Sequence, residues 1–299
     1  MIMARIREYG ADFLLLLVAL AWGSTFFIVQ DAIRDTPVYI FLFWRFLFAG
    51  ILMGVISYKH LGAIDKDTLI AGGVLGLFMF LGFAFQTFGL SLTYSSTVAF
   101  ITGLNVIIVP FLLFIIFKNK ASIYSIFGAF CAALGLYFLT LKSSIGFGKG
   151  ELYALVCAFM FAAHIVFTDR FSKKYNVLLL VMIQLLTVAL LSFVAAGIFD
   201  HKIMPQAFDG VFLDALIVTV LFATVFAFGV QTAMQRYTTP AKTAIIFTLE
   251  PVSAGAFGYY FADEVFSFTQ LSGAFMILFG MLLAELGTYF RNKRRDAHA

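Results

Sequence analysis

Ten stretches of this chain are apolar over about the length a helix needs to cross a hydrocarbon core. They run over 13–30, 37–57, 69–91, 96–117, 121–141, 151–168, 177–199, 211–235, 241–261 and 269–290. A bilayer core requires about 20 residues at about 1.5 Å rise each. Inside it every backbone N–H and C=O must be satisfied within the protein, so these runs are expected as helices, numbered here as spans 1 to 10. The chain is 62% hydrophobic and 12% charged, with a mean hydropathy of +1.00. Soluble domains carry about 25% charge, so a large soluble core does not fit this composition. The connections are short, such as Lys118-Asn119-Lys120, which predicts antiparallel hairpins in one bundle.

Lysine and arginine set the expected direction. With the N-terminus in the cytoplasm, the inner segments hold Arg5, Arg7, Lys59, Lys66, Lys118, Lys120, Arg170, Lys173, Lys174, Arg236 and the tail Arg291, Lys293, Arg294, Arg295, which is 14. The outer segments hold Arg34, Lys142, Lys149 and Lys202, which is 4. Both termini are therefore expected in the cytoplasm, and span 1 is read as uncleaved because Gln30, Asp31 and Arg34 follow it. The basic tail suits anionic headgroups, and no basic stripe with interleaved aromatics points to nucleic acid.

The sequence also repeats itself. Gln86-Thr87 recurs as Gln231-Thr232, and Gly128-Ala129-Phe130 with Gly135 recurs as Gly273-Ala274-Phe275 with Gly280, always 145 residues later. Eleven positions match over 86–139. Spans 3–5 thus correspond to spans 8–10, and the unit is five helices. An odd unit enters the membrane from the opposite side in its second copy, which is the inverted repeat of many secondary transporters. The expected fold is an all-α polytopic membrane protein of ten transmembrane helices as a five-plus-five inverted repeat. Residues 1–145 form the first half, and residues 146–299 the second half with its basic tail. Gly72 and Gly76, like Gly128 and Ala132, are expected to let helices approach closely.

Polar residues at depth cost about 2.5–3.5 kcal/mol when charged at mid-helix, so each needs a reason. Glu250 falls near the midplane of span 9, followed by Pro251, which removes a backbone hydrogen bond. It reads either as a ligand or proton site, or as a structural acid bonded to a neighbouring helix. At the offset of 145 it corresponds to Asn105, and span 4 has its own expected break at Pro110. Thr102 precedes Asn105 on that stretch. Gln86 and Gln231 form a second pair, toward the outer and inner halves; they line a cavity or bond between helices. Trp22 and Ser24 in span 1 and His164 in span 6 complete the candidate set, with His164 either hydrogen-bonded or a proton relay. Arg45 is expected to snorkel toward headgroups or to pair with Asp31 or Asp35, with substrate contact as the alternative. Arg236 and Lys242 read as topology anchors. Cys131 and Cys157 lack metal or disulfide spacing and read as packing residues. No H-E-x-x-H, C-x-x-C, G-x-S-x-G or phosphate loop occurs, so no enzyme and no cofactor are expected.

These residues resemble the ten-helix EamA type of drug/metabolite transporter. The matching pieces are Trp22-Gly23-Ser24, Arg45, Gly89-Leu90, Phe100-Ile101-Thr102-Gly103-Leu104-Asn105 with Pro110, Pro240-Ala241-Lys242, Leu249-Glu250-Pro251, and Gly273-Ala274 with Gly280. The resemblance covers essentially the whole chain. It implies a central cavity lined by spans 1, 3, 4, 6, 8 and 9, export or uptake of small metabolites including amino acids, and no cofactor. The family often has an acid after both spans 4 and 9. Here Asp263-Glu264 follows span 9, but Lys118-Asn119-Lys120 follows span 4. The expectation is a secondary transporter in a prokaryotic-type inner membrane, exporting an amino acid or related metabolite by alternating access, as monomer or homo-oligomer. The alternatives are proton-coupled efflux of lipophilic cations, or a receptor or scaffold that transports nothing.

Overall fold

The computed structural model describes residues 2–118, 122–140, 148–234 and 246–296, without the side chains of 2–8, 285 and 288–296. Lys120, Lys142, Arg236, Pro240, Ala241 and Lys242 lie outside the described residues, as do the side chains of Arg5, Arg7 and the basic tail. The regular secondary structure of the described residues is all helical. Its helices are α1 (Ile2–Ala32), α2 (Val38–Ile56), α3 (Lys66–Leu90), α4 (Ser95–Thr102), α5 (Asn105–Phe117), α6 (Ile123–Thr140), α7 (Lys149–Ser172), α8 (Val177–Ala195), α9 (Gly210–Val218), α10 (Ala227–Met234), α11 (Leu249–Phe261) and α12 (Phe268–Asp296). A π turn extends α8 over Ala196–Asp200, and a longer π stretch, Thr219–Phe226, joins α9 to α10.

Eight helical segments among the described residues are long and apolar enough to cross a membrane. They match spans 1 to 8, with α4 and α5 together forming span 4 and α9 to α10 forming span 8. Spans 9 and 10 correspond to α11 and to α12, which is apolar over Phe268–Ala284. The chain is an all-helical polytopic membrane protein. Large apolar side chains such as Phe127, Phe130, Tyr260 and Phe268 point outward, as a bilayer rather than water requires.

Local signals fix several ends. Asp65 caps α3 by accepting the Thr68 N–H at 2.7 Å, and Asp209 caps α9 by accepting that of Phe212 at 2.8 Å. The largest change from expectation is in span 4. The helix is interrupted at Gly103–Leu104, and α5 then runs through Pro110 as a helix. Bonds to the third residue back, Leu104 N–H to Ile101 O at 3.0 Å and Val106 N–H to Gly103 O at 3.2 Å, tighten the backbone there. In span 9 the interruption is at Thr248, and Pro251 sits in the first turn of α11. A first-turn N–H lacks an intrahelical partner anyway, so proline fits there without breaking anything. The two interruptions, not the two prolines, are the positions related by 145 residues.

Packing pairs the spans in a regular way. Span 1 packs on span 9, and span 6 on span 4; span 3 packs on span 6, and span 8 on span 1; spans 2 and 7 pack together, as do spans 5 and 10. Adding five to each member returns the same set of pairs. Spans 5 and 10 cross with their backbones in contact: Gly128 meets Gly280, and Gly135 meets Gly273. Gly72 and Gly76 let α3 sit against Ile183 and Thr187 of α8.

Candidate functional site

A cavity with about 640 Å³ of empty space, part of it continuous with the outside, lies where the two helix interruptions meet. Trp22, Gln86, Thr102, Asn105, His164, Gln231 and Glu250 line it together. They come from spans 1, 3, 4, 6, 8 and 9. Ser24, the eighth candidate, is not among the lining residues. Its hydroxyl donates to Ala21 O at 2.9 Å, and its neighbour Thr25 lines the cavity instead. Trp22, Thr25, Phe26 and Val29 share one helical face, so the turn of the helix decides against Ser24.

Each interruption delivers one polar side chain. Asn105 is the first residue of α5, and Glu250 the second of α11. The first turn of a helix favours negative charge because its N–H groups are unpaired and its dipole is positive there. The carboxyl of Glu250 has no hydrogen-bond or ion-pair partner among the described residues, and it is not sealed in protein. Gly23 brings α1 onto α11 at this point. A methyl there would lie 2.6 Å from Glu250 O and 2.9 Å from Ala254 N.

Arg45 is a correction. It neither snorkels nor pairs with an acid: it is 3% exposed and lines the cavity, while Asp31 pairs with Arg34 at 3.1 Å. Its Nε donates to Thr224 Oγ1 at 2.9 Å, and its guanidinium lies over the rings of Phe83 at 4.6 Å and Phe46 at 5.1 Å. A planar, weakly hydrated guanidinium suits such stacking. Its sequence position near an end of span 2 suggested a headgroup contact; only the inward rotation of α2 decides otherwise.

The π stretch Thr219–Phe226 supplies Arg45's partner Thr224, and it also supplies Ala223 O, which accepts the Trp22 indole N–H at 2.9 Å. Nothing in the residues of that segment announces a π helix. Trp22 then meets Phe228 at 5.4 Å and Phe247 at 5.2 Å, while Phe83 meets Phe161 at 5.1 Å. The apolar part of the cavity wall is therefore largely aromatic. His164 Nε2 lies 2.9 Å from Gln184 Oε1 on span 7, so it is both hydrogen-bonded and cavity-lining. Gln231 Oε1 is buried without a partner among the described residues.

At the Ser95 end of the bundle, α4 is held from the loop after α11. Glu264, 4% exposed, accepts the Ser95 N–H at 2.8 Å, the Ser95 hydroxyl at 2.6 Å, the Ser96 N–H at 3.3 Å and the Ser96 hydroxyl. Gly258 leaves room for that carboxylate, since a methyl there would be 2.8 Å from Glu264 Oε2. Gln30 closes the same end by donating to Leu90 O and Thr93 O, each at 2.8 Å.

An apolar helical bundle around a polar-lined central cavity is the architecture of a membrane transporter. The chain belongs to the EamA-like transporter family, whose model matches residues 10–141 and 148–286. An uncharacterized transporter of Archaeoglobus fulgidus is 31% identical over 282 residues, covering 94% of this chain and 87% of its own. The uncharacterized transporter YoaV of Bacillus subtilis is 24% identical over 287 residues, covering 92% and 96%. A solved structure described only as a crystal structure of a protein shares the fold, with a TM-score of 0.67 at 17% identity over 93% of this chain and 97% of its own.

Proposed function

We propose that this transporter moves a small metabolite, an amino acid or a related compound, by alternating access between two inverted halves, residues 1–145 and 146–299. The lysine and arginine distribution favours both termini in the cytoplasm of a prokaryotic-type inner membrane, and export is the direction proposed. The observation that carries the reading is the meeting of the two helix interruptions at one cavity, with Asn105 and Glu250 each at the start of the second helical piece. Interrupted helices at a repeat interface free backbone dipoles for a substrate while the rest of the bundle stays rigid. The paired packing of spans and the reciprocal glycine contacts support a two-fold relation between the halves. Efflux of lipophilic cations is disfavoured by Arg45, a cation on the cavity wall.

The test is reconstitution in liposomes with labelled amino acids, nucleosides and a lipophilic cation, with and without a pH gradient. Saturable flux of an amino acid or related compound is expected. Flux that is indifferent to the gradient and to Glu250→Gln removes any proton-coupling role for Glu250. Absence of flux for every compound overturns transport in favour of a receptor or scaffold.

A further inference from the structure

We infer that Arg45 and Glu250 are the two poles of a site for zwitterions, Arg45 taking a carboxylate and Glu250 a primary ammonium group. This rests on the transport reading above and narrows its substrate.

The cavity wall carries one guanidinium and one carboxyl, and among the described residues no other Lys, Arg, Asp or Glu lines it. Opposite charges in a low-dielectric space attract strongly, and a structural pair would close to hydrogen-bond distance. These two do not. No ion pair within 4.0 Å involves either among the described residues. Thr224 and the rings of Phe83 and Phe46 fix Arg45, using only its Nε as a donor. The four N–H bonds at the Nη end have no acceptor among the described residues, and those nitrogens are not sealed from the cavity. This end is the fork that matches a carboxylate with two parallel hydrogen bonds.

Among the described residues Glu250 likewise has no donor, and Gln231 Oε1, on the same wall, is a buried acceptor without a partner. A carboxylate and an amide oxygen together suit an ammonium group, which donates three hydrogen bonds and accepts none. A zwitterion satisfies both poles and leaves the loaded cavity with the same formal charge as the empty one. A simple cation leaves Arg45 unmatched, and a simple anion leaves Glu250 unmatched. The aromatic wall around Trp22, Phe83 and Phe228 then takes an apolar body between the two charged ends.

The full chain in lipid nanodiscs, carrying Trp44→Phe so that Trp22 is the only indole, tests this by fluorescence titration. The probes are L-phenylalanine, its carboxamide, which lacks the carboxylate, and 3-phenylpropionate, which lacks the ammonium. Phenylalanine is expected to bind at least tenfold more tightly than either. In Arg45→Gln its affinity falls to that of the carboxamide, whose own affinity is unchanged; in Glu250→Gln it falls to that of phenylpropionate. Arg45→Lys keeps a preference for the carboxylate, and the thermal midpoint of each variant separates lost binding from lost folding. Equal affinity for the three compounds overturns the inference, as does a preference that survives Arg45→Gln. Lack of saturable quenching by glycine, leucine, methionine and phenylalanine alike also overturns it. Saturable liposome flux of a nucleoside or other uncharged solute in either case leaves the transport reading standing; no flux of any compound removes both.

Discussion

Gly135 and Gly273 face each other so closely that a methyl on either would lie 2.6 Å from the other's carbonyl oxygen. Gly128 and Gly280 make the same reciprocal contact seven residues away along each helix. The repeat relates Gly128 to Gly273 and Gly135 to Gly280, so each contact is the image of the other, as in a two-fold interface. Gly135→Val is expected to force the helices apart at a cost of about 1–3 kcal/mol. A lowered midpoint in denaturant titration of the micellar protein checks this; an unchanged midpoint contradicts the close approach.

Glu264→Ala is expected to leave the N–H and hydroxyl groups of Ser95 and Ser96 without their acceptor. Each unsatisfied buried donor costs about 1–3 kcal/mol, less where water enters. Faster hydrogen exchange confined to the start of α4 is the expected readout. Protection equal to wild type shows that the clasp holds nothing.

Gly23→Ala places a methyl against the backbone of Glu250 and Ala254. The expected outcome is displacement of α1 from α11 and loss of most flux, with a stability loss of about 1–3 kcal/mol. Flux at the wild-type level would mean that the contact between α1 and α11 is adjustable.

Trp22→Phe removes the indole N–H that donates to Ala223 O while keeping an aromatic ring. A stability loss of about 0.5–1.5 kcal/mol is expected, with substrate affinity reduced because the π stretch also positions Thr224 against Arg45. An unchanged half-saturation concentration for liposome flux separates the two hydrogen bonds.

Hydrogen bonds from Thr68, side chain and backbone N–H, hold the Asp65 carboxyl below its ordinary value of 3.8. A depressed acid stabilises the folded state above its unfolded pKa, and that contribution is lost as pH falls through the folded pKa. Exchange protection of the Thr68 amide is therefore expected to be constant near neutrality and to fall only below pH about 3.8. Asp65→Ala removes that acid step; a step that persists in the variant assigns it to another group.

The cavity residues divide by how they announce themselves. Glu250, Asn105, Gln86, Gln231 and His164 stood out because a polar side chain in an apolar run needs a reason. Arg45 stood out equally, yet its place near the end of span 2 fitted two environments, and Ser24 lost its place to Thr25 by 100° of helix rotation. Pro110 and Pro251 marked the right spans but not the interruptions, which fall at Gly103–Leu104 and Thr248. Proline removes a donor wherever it sits; whether the helix breaks there depends on what packs around it. The phenylalanines of the wall were hidden among 39, most of them indistinguishable by sequence from lipid-facing ones.

The sequence by itself determined the solvent, the helical class and the repeat within the chain, because run length, hydropathy and a fixed offset of 145 are properties of the chain in one dimension. Tertiary structure alone decided which polar groups meet and which stay apart. Arg45 and Glu250 lie 205 positions apart, so their shared cavity follows from helix rotation, a π stretch and glycine contacts. Those depend on packing between helices that no single run of residues encodes.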